Sequence, residues 1–249
     1  MQEIVRQVAA LEPHVVTLQE AVQCERLRQV DAIAQAIGGK ARFSVVDPDS
    51  PGGAIGNAVV TTLPILGSRE LKLSTRLGDL RAAVRCELET EHGNLSLTTA
   101  HLTFELERSH DREEQILLLD EFARRDAGPL PPILTGDLNC TPDSDVVRFL
   151  TGKRSIAGHG TYWRDAFHRR HPDSNGYTWS ARNRFARRSV ERNRRLDYVF
   201  VGPMRDDGPG AIRHARVVFD LPGLDDVYAS DHFGVFADIS LVAPEPWDT

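Results

Sequence analysis

The chain has 249 residues, 41% hydrophobic and 27% charged, which suffices for one large domain with a substantial core and no need of disulfides or a structural metal. Three widely spaced cysteines, Cys24, Cys86 and Cys140, exclude a disulfide framework and a zinc cluster and fit a reducing, cytoplasmic setting. The net charge of −6 disfavours a protein that grips nucleic acid with its whole surface, and no apolar run approaches the length of a membrane span.

Ile4, Val5, Val8 and Leu11 recur at helical spacing and predict a helix over residues 3–11, stopped by Pro13. Val15 to Leu18 is a short strand pattern that delivers Gln19 and Glu20 at its end. Leu27, Val30, Ile33 and Ile37 predict a second helix, closed by Gly38 and Gly39. Strands follow over 42–46, 58–62, 70–73, 82–89 and 95–101, with Pro51-Gly52-Gly53 and Gly93-Asn94 as turns. A helix is predicted over 111–125, with Asp111 and Glu114 as a variant capping box. A strand at 132–135 runs into Gly136-Asp137-Leu138-Asn139, and Thr141-Pro142 reads as the cap and first turn of a helix over 146–150. The last third offers Tyr177-Thr178-Trp179 and strands at 196–201, 217–220 and 233–241. Strands outnumber helices without alternating with them, which predicts an α+β chain with two packed sheets and helices outside. No linker divides it, so residues 1–249 read as a single domain and a monomer is expected.

Polar residues cluster where strands end, the positions from which a rigid scaffold presents side chains. Glu20, His101, Asp137, Asn139, Asp197, Asp231 and His232 all sit there. Singly, each has an ordinary structural explanation, such as a helix-dipole charge, an Asx turn or a surface ion pair. Together they suit hydrolysis of a phosphodiester, which needs a cation, a base for water and donors to the phosphate oxygens. Hard oxygen ligands such as Glu20 and Asp231 suit Mg2+ or Mn2+. A histidine paired with a carboxylate suits the base. Arg182, Arg184, Arg187, Arg188, Arg192, Arg194 and Arg195 face Glu191 alone in one short run, either a solvated loop or a phosphate-attracting patch. Cys140, beside Asn139, reads as a passive small residue rather than a nucleophile, though its place raises the question of inhibition by oxidation.

The motifs also occur in a recognisable order. LQE at 18–20, GNAVVTTLPI at 56–65, HL at 101–102, RxxQ at 112–115 and GDLN at 136–139 come first. TPDSD at 141–145, WRDAF at 163–167, YTW at 177–179, RLDYVFV at 195–201 and SDHFGV at 230–235 follow. The ordered set, from about residue 3 to residue 241, resembles the endonuclease/exonuclease/phosphatase superfamily. The resemblance implies a four-layer α/β/β/α sandwich of the deoxyribonuclease I type, with the site at one edge of the paired sheets. It implies Glu20 as principal metal ligand, Asp137 and Asn139 orienting nucleophile and phosphate, and His232, paired with Asp197, as base or phosphate contact. Asp231 would assist the metal or the water, and His101 would contact phosphate. Asn57 and Asp165 match positions lining or supporting the cleft as substrate-binding residues.

The resemblance also implies a strand ahead of residue 3, bearing an asparagine, for which this sequence has no counterpart. The expectation is an upstream start, whose extension would leave room for a targeting signal. A second expectation is that, without that strand, sheet edges are left open. The leading function is a magnesium-dependent phosphodiesterase, with a nuclease slightly favoured and nucleic acid as the favoured partner. A sphingomyelinase-like enzyme, a small-metabolite phosphatase and a non-enzymatic binding module on the same fold are the alternatives.

Overall fold

The computed structural model describes residues 1–73, 80–187, 193–203, 209–223 and 226–242. The helix α1 (Gln2–Ala9) leads into β1 (Val15–Gln23), and α2 (Gln29–Ile37) is ended by Gly38 in the left-handed conformation. An antiparallel series follows: β2 (Lys40–Asp47), β3 (Ala54–Thr61), β4 (Ile65–Lys72), β5 (Ala82–Thr90) and β6 (Gly93–His101). Next come α3 (Ser109–Arg124), β7 (Ile133–Asp137), α4 (Asp145–Leu150), β8 (Arg164–Asp165) and α5 (Ala166–Arg170). The chain closes with β9 (Trp179–Ser180), β10 (Asn193–Arg194), β11 (Asp197–Val201), β12 (Ile212–Val218) and β13 (Gly234–Ile239).

One sheet has six strands in the order β4-β5-β6-β7-β11-β8. Facing it are a three-stranded sheet, β1-β3-β2, and the pair β12-β13. Val59, Val84, Leu88, Leu97 and Ile133 fill the space between the facing sheets. Ile116, Leu119, Phe149 and Trp163 bury α3 and α4 against the outer face of the six-stranded sheet. Val8, Val30 and Ile33 do the same for α1 and α2 on the three-stranded side. The α+β four-layer expectation therefore holds, because each layer has an apolar face on either side to cover. Among the described residues β1 pairs only with β3 and β13 only with β12.

Two caps differ from expectation. The α3 helix starts at Ser109, two residues before Asp111, whose carboxylate accepts from Arg108 Nε at 2.5 Å instead of capping. The cap of α4 is Ser144, whose hydroxyl accepts from Val147 N, while Thr141 and Pro142 stay in the preceding turn. The arginine run is also divided in role. Arg182, Arg184 and Arg187 are exposed, whereas Arg195 is buried against Asp165 at 2.8 Å. Arg188, Glu191 and Arg192 lie outside the described residues. No described helix is long and apolar enough to cross a membrane.

Candidate active site

Strand register assembles the site. In the six-stranded sheet β6 runs parallel to β7 with His101 opposite Asp137, and β11 runs antiparallel with Asp197 opposite the same Asp137. Residues directly opposite across neighbouring strands project to the same face, so three polar side chains meet in one row. Gly136 makes this possible. It has φ +139°, and a Cβ there would lie 2.0 Å from the Ala100 carbonyl oxygen, so only glycine lets β7 close on β6 at this point.

The row is completed from three other elements. Asn139, in the left-handed conformation, donates its backbone N–H to Asp137 Oδ1 at 2.8 Å. Its side-chain amide donates to the Leu102 carbonyl at 3.0 Å and lies 3.0 Å from His101 Nε2. His232, just before β13, places Nδ1 2.8 Å from Asp197 Oδ2 and Nε2 3.9 Å from Asp137 Oδ2. In β1 the pairing with β3 slips between Leu18 and Ala21, and Glu20 takes φ +51°. This bulge aims Glu20 toward His101, whose Nδ1 is 3.6 Å from its carboxylate. Asp137 and Glu20 thus flank opposite nitrogens of one imidazole, the Asp137 contact being 3.5 Å.

The electrostatics follow from this crowding. Burial first, then the Asp197 charge, raises the Asp137 carboxyl to about 7, against the restraining effects of His232 and the Asn139 N–H. For His232 burial opposes the charged form. The Asp197 charge and hydrogen bond, with Asp137 and Asp231, outweigh it and raise the imidazole to about 10. His232 is therefore a proton-bearing donor at neutral pH. Asp137, Asp197 and His232 offer ligand atoms all within 4.8 Å of one another. Because the imidazole holds its proton, the donors there for a hard cation are the carboxylates.

The other predicted residues stand apart from this row to different degrees. Asp231 is exposed and accepts from the Ser230 hydroxyl at 3.0 Å, acting on the row through its charge on His232. Asn57 is buried and donates to the Ala82 carbonyl at 2.7 Å, lining a cavity of about 350 Å³ with Glu20, Arg81 and His101. Asp165 faces elsewhere: it caps α5 through His168 N and pairs with buried Arg195. Its place in the fold is that of a brace behind Leu196 and Asp197.

Three residues have evident roles that the sequence reading did not assign. Arg81 brings a guanidinium nitrogen 3.3 Å from His101 Nδ1 and 4.0 Å from the Glu20 carboxylate. It immediately precedes β5, a strand-end position of the kind that flagged the others. Thr178 accepts from the N–H groups of Leu196 and Asp197 with its hydroxyl, and from Phe233 N with its carbonyl. It ties the strand bearing Asp197 to the segment bearing His232. Asn183 donates to the Ser230 and Asp231 carbonyls and holds that segment from behind. The YTW motif contains Thr178 without revealing its role, and nothing in the local sequence marks Asn183, since both act on distant backbone.

Similarity to known proteins places the chain in a family and agrees with the fold. The model of the Endonuclease/Exonuclease/phosphatase family matches residues 1–232. The chain belongs to that family. Among solved structures, a humanized D. rerio TDP2 carrying 14 mutations superposes with TM-score 0.72 at 17% identity, covering 96% of this chain and 90% of that one. D. rerio TDP2 complexed with a single-strand DNA product gives 0.71 at 18% identity, covering 95% and 89%. The human nocturnin catalytic domain with bound sulfate gives 0.70 at 20% identity, covering 97% and 87%. No curated protein sequence matches. The family's named activities share hydrolysis of a phosphate ester, and this family member is an enzyme of that class.

Proposed function

We propose that the chain hydrolyses phosphodiesters with Mg2+ or Mn2+, nucleic acid being the favoured substrate. The observation that carries this is the register-built row of His101, Asp137, Asp197 and His232, braced by Asn139. The donor set fits a hard divalent cation, which Glu20 would hold, with the Asp137 carboxylate facing the same cleft. Bound there, the cation would neutralise charge on the phosphate and lower the pKa of water.

The chain's own residues divide the remaining work. Asp137, with its carboxyl near 7, has the proton affinity that suits a group orienting and deprotonating water at neutral pH. His232 donates from Nε2 to a non-bridging phosphate oxygen, its proton kept by Asp197. His101 and Asn139 supply further polar contacts to the phosphate, and Arg81 adds a cation beside them. Asp231 contributes charge at the rim. Exposed Arg182, Arg184 and Arg187 offer a basic approach for a polyanion, which favours nucleic acid over a small metabolite. Single-strand DNA as product in the similar D. rerio TDP2 supports the same substrate class.

Purified protein is tested on plasmid DNA, abasic DNA, sphingomyelin and a bis-aryl phosphate, each with Mg2+, Mn2+ or chelator. Metal-dependent cleavage of DNA and of the aryl ester, lost in Asp137→Asn and His232→Ala without loss of folding, is expected. Cleavage that survives chelator, or full activity in either variant, overturns the assignment.

A further inference from the structure

The loop that leaves β6 after His101 is pinned from inside and apolar outside. Arg112 and Gln115, three residues apart on α3 and both buried, face it together. Arg112 donates to the carbonyls of Thr103, Glu105 and Leu106 at 3.1, 2.5 and 3.1 Å. Gln115 accepts from Thr103 N at 3.1 Å and donates to the Thr103 hydroxyl at 2.9 Å. Asn139 holds the carbonyl of Leu102. On this fixed backbone Phe104 and Leu106 point outward, 57% and 50% exposed. Phe104 forgoes most of the burial from which a phenyl ring stabilises a fold. Its ring nevertheless has a neighbour: the Arg81 guanidinium carbon lies 5.4 Å from the ring centre. The same guanidinium is 3.3 Å from His101 Nδ1, and the Arg81 side chain is only 9% exposed. Leu80, itself exposed, lines the 350 Å³ cavity with Arg81 and His101. A single guanidinium thus separates a solvent-facing ring from the polar row.

We propose that Phe104, backed by Arg81, is a stacking platform for an unpaired base of a single-stranded nucleic acid whose phosphate lies at the row. The platform rests on the hydrolytic reading for the place of that phosphate. An exposed ring with a cation on it suits another flat π face. An alkyl chain would gain from a concave apolar wall and would gain nothing from a guanidinium behind it. In a duplex each base is already covered by its neighbours, so only an unpaired or extruded one reaches the ring. Stacking tolerates any base, so the preference is for strand state and not for sequence. Arg112 and Gln115 are positioning residues here: they fix the backbone on either side of Phe104 and give the RxxQ motif its place in the site.

The test compares labelled oligothymidylate, an oligomer of equal length with sugars but no bases, and oligothymidylate annealed to its complement. Binding is read by fluorescence anisotropy in Mg2+ on full-length protein carrying Asp137→Asn, so that no turnover is needed. KM and kcat are read on protein without that change. The expected result is a preference for the single strand over the baseless oligomer. Phe104→Ala and Phe104→Leu should each reduce it by about tenfold or more, through KM with little change in kcat, and Phe104→Trp should retain it. Affinity for the baseless and duplex forms should stay unchanged. The leucine variant keeps an apolar cover on Arg81, which separates loss of the ring face from disturbance of His101. Equal affinity of the parent protein for oligothymidylate and the baseless oligomer, absence of binding included, overturns the proposal. So does a Phe104→Leu protein that weakens all three ligands alike or keeps the full preference. Binding that depends on Phe104 without any cleavage supports the platform and refutes the hydrolytic reading alone.

Discussion

His232 is held in its charged form by a neighbour 2.8 Å away, and that single contact has measurable consequences. Its folded value of about 10 lies above the ordinary 6.5, so the pairing stabilises the fold fully below about pH 6.5 and is lost as pH rises through about 10. Asp137 acts in a separate window. Its raised value means that the folded state favours the protonated form, so its contribution is present below 3.8 and lost as pH rises toward about 7. Melting temperature is therefore expected to fall between pH 7 and 10.5. Asp197→Asn should flatten that fall and bring the His232 imidazole down toward its ordinary range by NMR titration. A slope unchanged in the variant would show that His232 does not draw its charge from Asp197. Cysteine chemistry is expected to be silent at the site. Burial raises both Cys86 and Cys140 to about 11, which leaves almost no thiolate at neutral pH. Half-buried Cys24 alone should react with a thiol reagent in the native protein, and added reductant should not change activity. Rapid native labelling of Cys140 would revive oxidation as a means of inhibition.

At the level of elements, the site is a property of register more than of sequence neighbourhood. Glu20, His101, Asp137, Asp197 and His232 were legible because each ends or adjoins a strand whose apolar run is unmistakable. Their mutual approach was not derivable from local pattern, since β6, β7 and β11 meet through a parallel and an antiparallel pairing between distant segments. Helix starts were less legible. Arg108 and Ser144, not Asp111 and Thr141, mark the boundaries, because several capping residues lie within a turn of one another and packing chooses between them. Thr178 stood within the YTW motif but its role was hidden, as its value lies in two backbone N–H groups 18 and 19 residues away. Thr178→Val should leave those buried donors unpaired at a cost of about 1–3 kcal/mol each. The expected signature is a lowered melting temperature together with a reduced kcat at nearly unchanged KM, because Asp197 and His232 lose their common anchor. Thr178→Ser should restore both. A valine variant with wild-type kcat would reduce Thr178 to an ordinary buried residue.

Over the whole molecule, the four layers concentrate negative charge at one end of the paired sheets and leave the protein to offset it. Glu20, Asp137, Asp197 and Asp231 all bear on the cleft, against Arg81 and His232 as the near cations. The crowding shows in Asp137, which gives up its proton only near pH 7. A divalent cation bound in the cleft would relieve that repulsion, so its binding must be linked to stability and to proton release. At a concentration one hundred times its Kd, such an ion should stabilise the folded state by about 2.7 kcal/mol, seen as a rise in melting temperature. Calorimetry at pH 6.5 in buffers of different ionisation enthalpy should register release of a proton as Mg2+ or Mn2+ binds. Glu20→Gln should weaken the ion without altering the proton count, whereas Asp137→Asn should remove the released proton itself. Equal melting temperatures with and without either ion would separate the cleft's carboxylates from any metal and leave His232 and Arg81, among the described residues, as its near counter-charges.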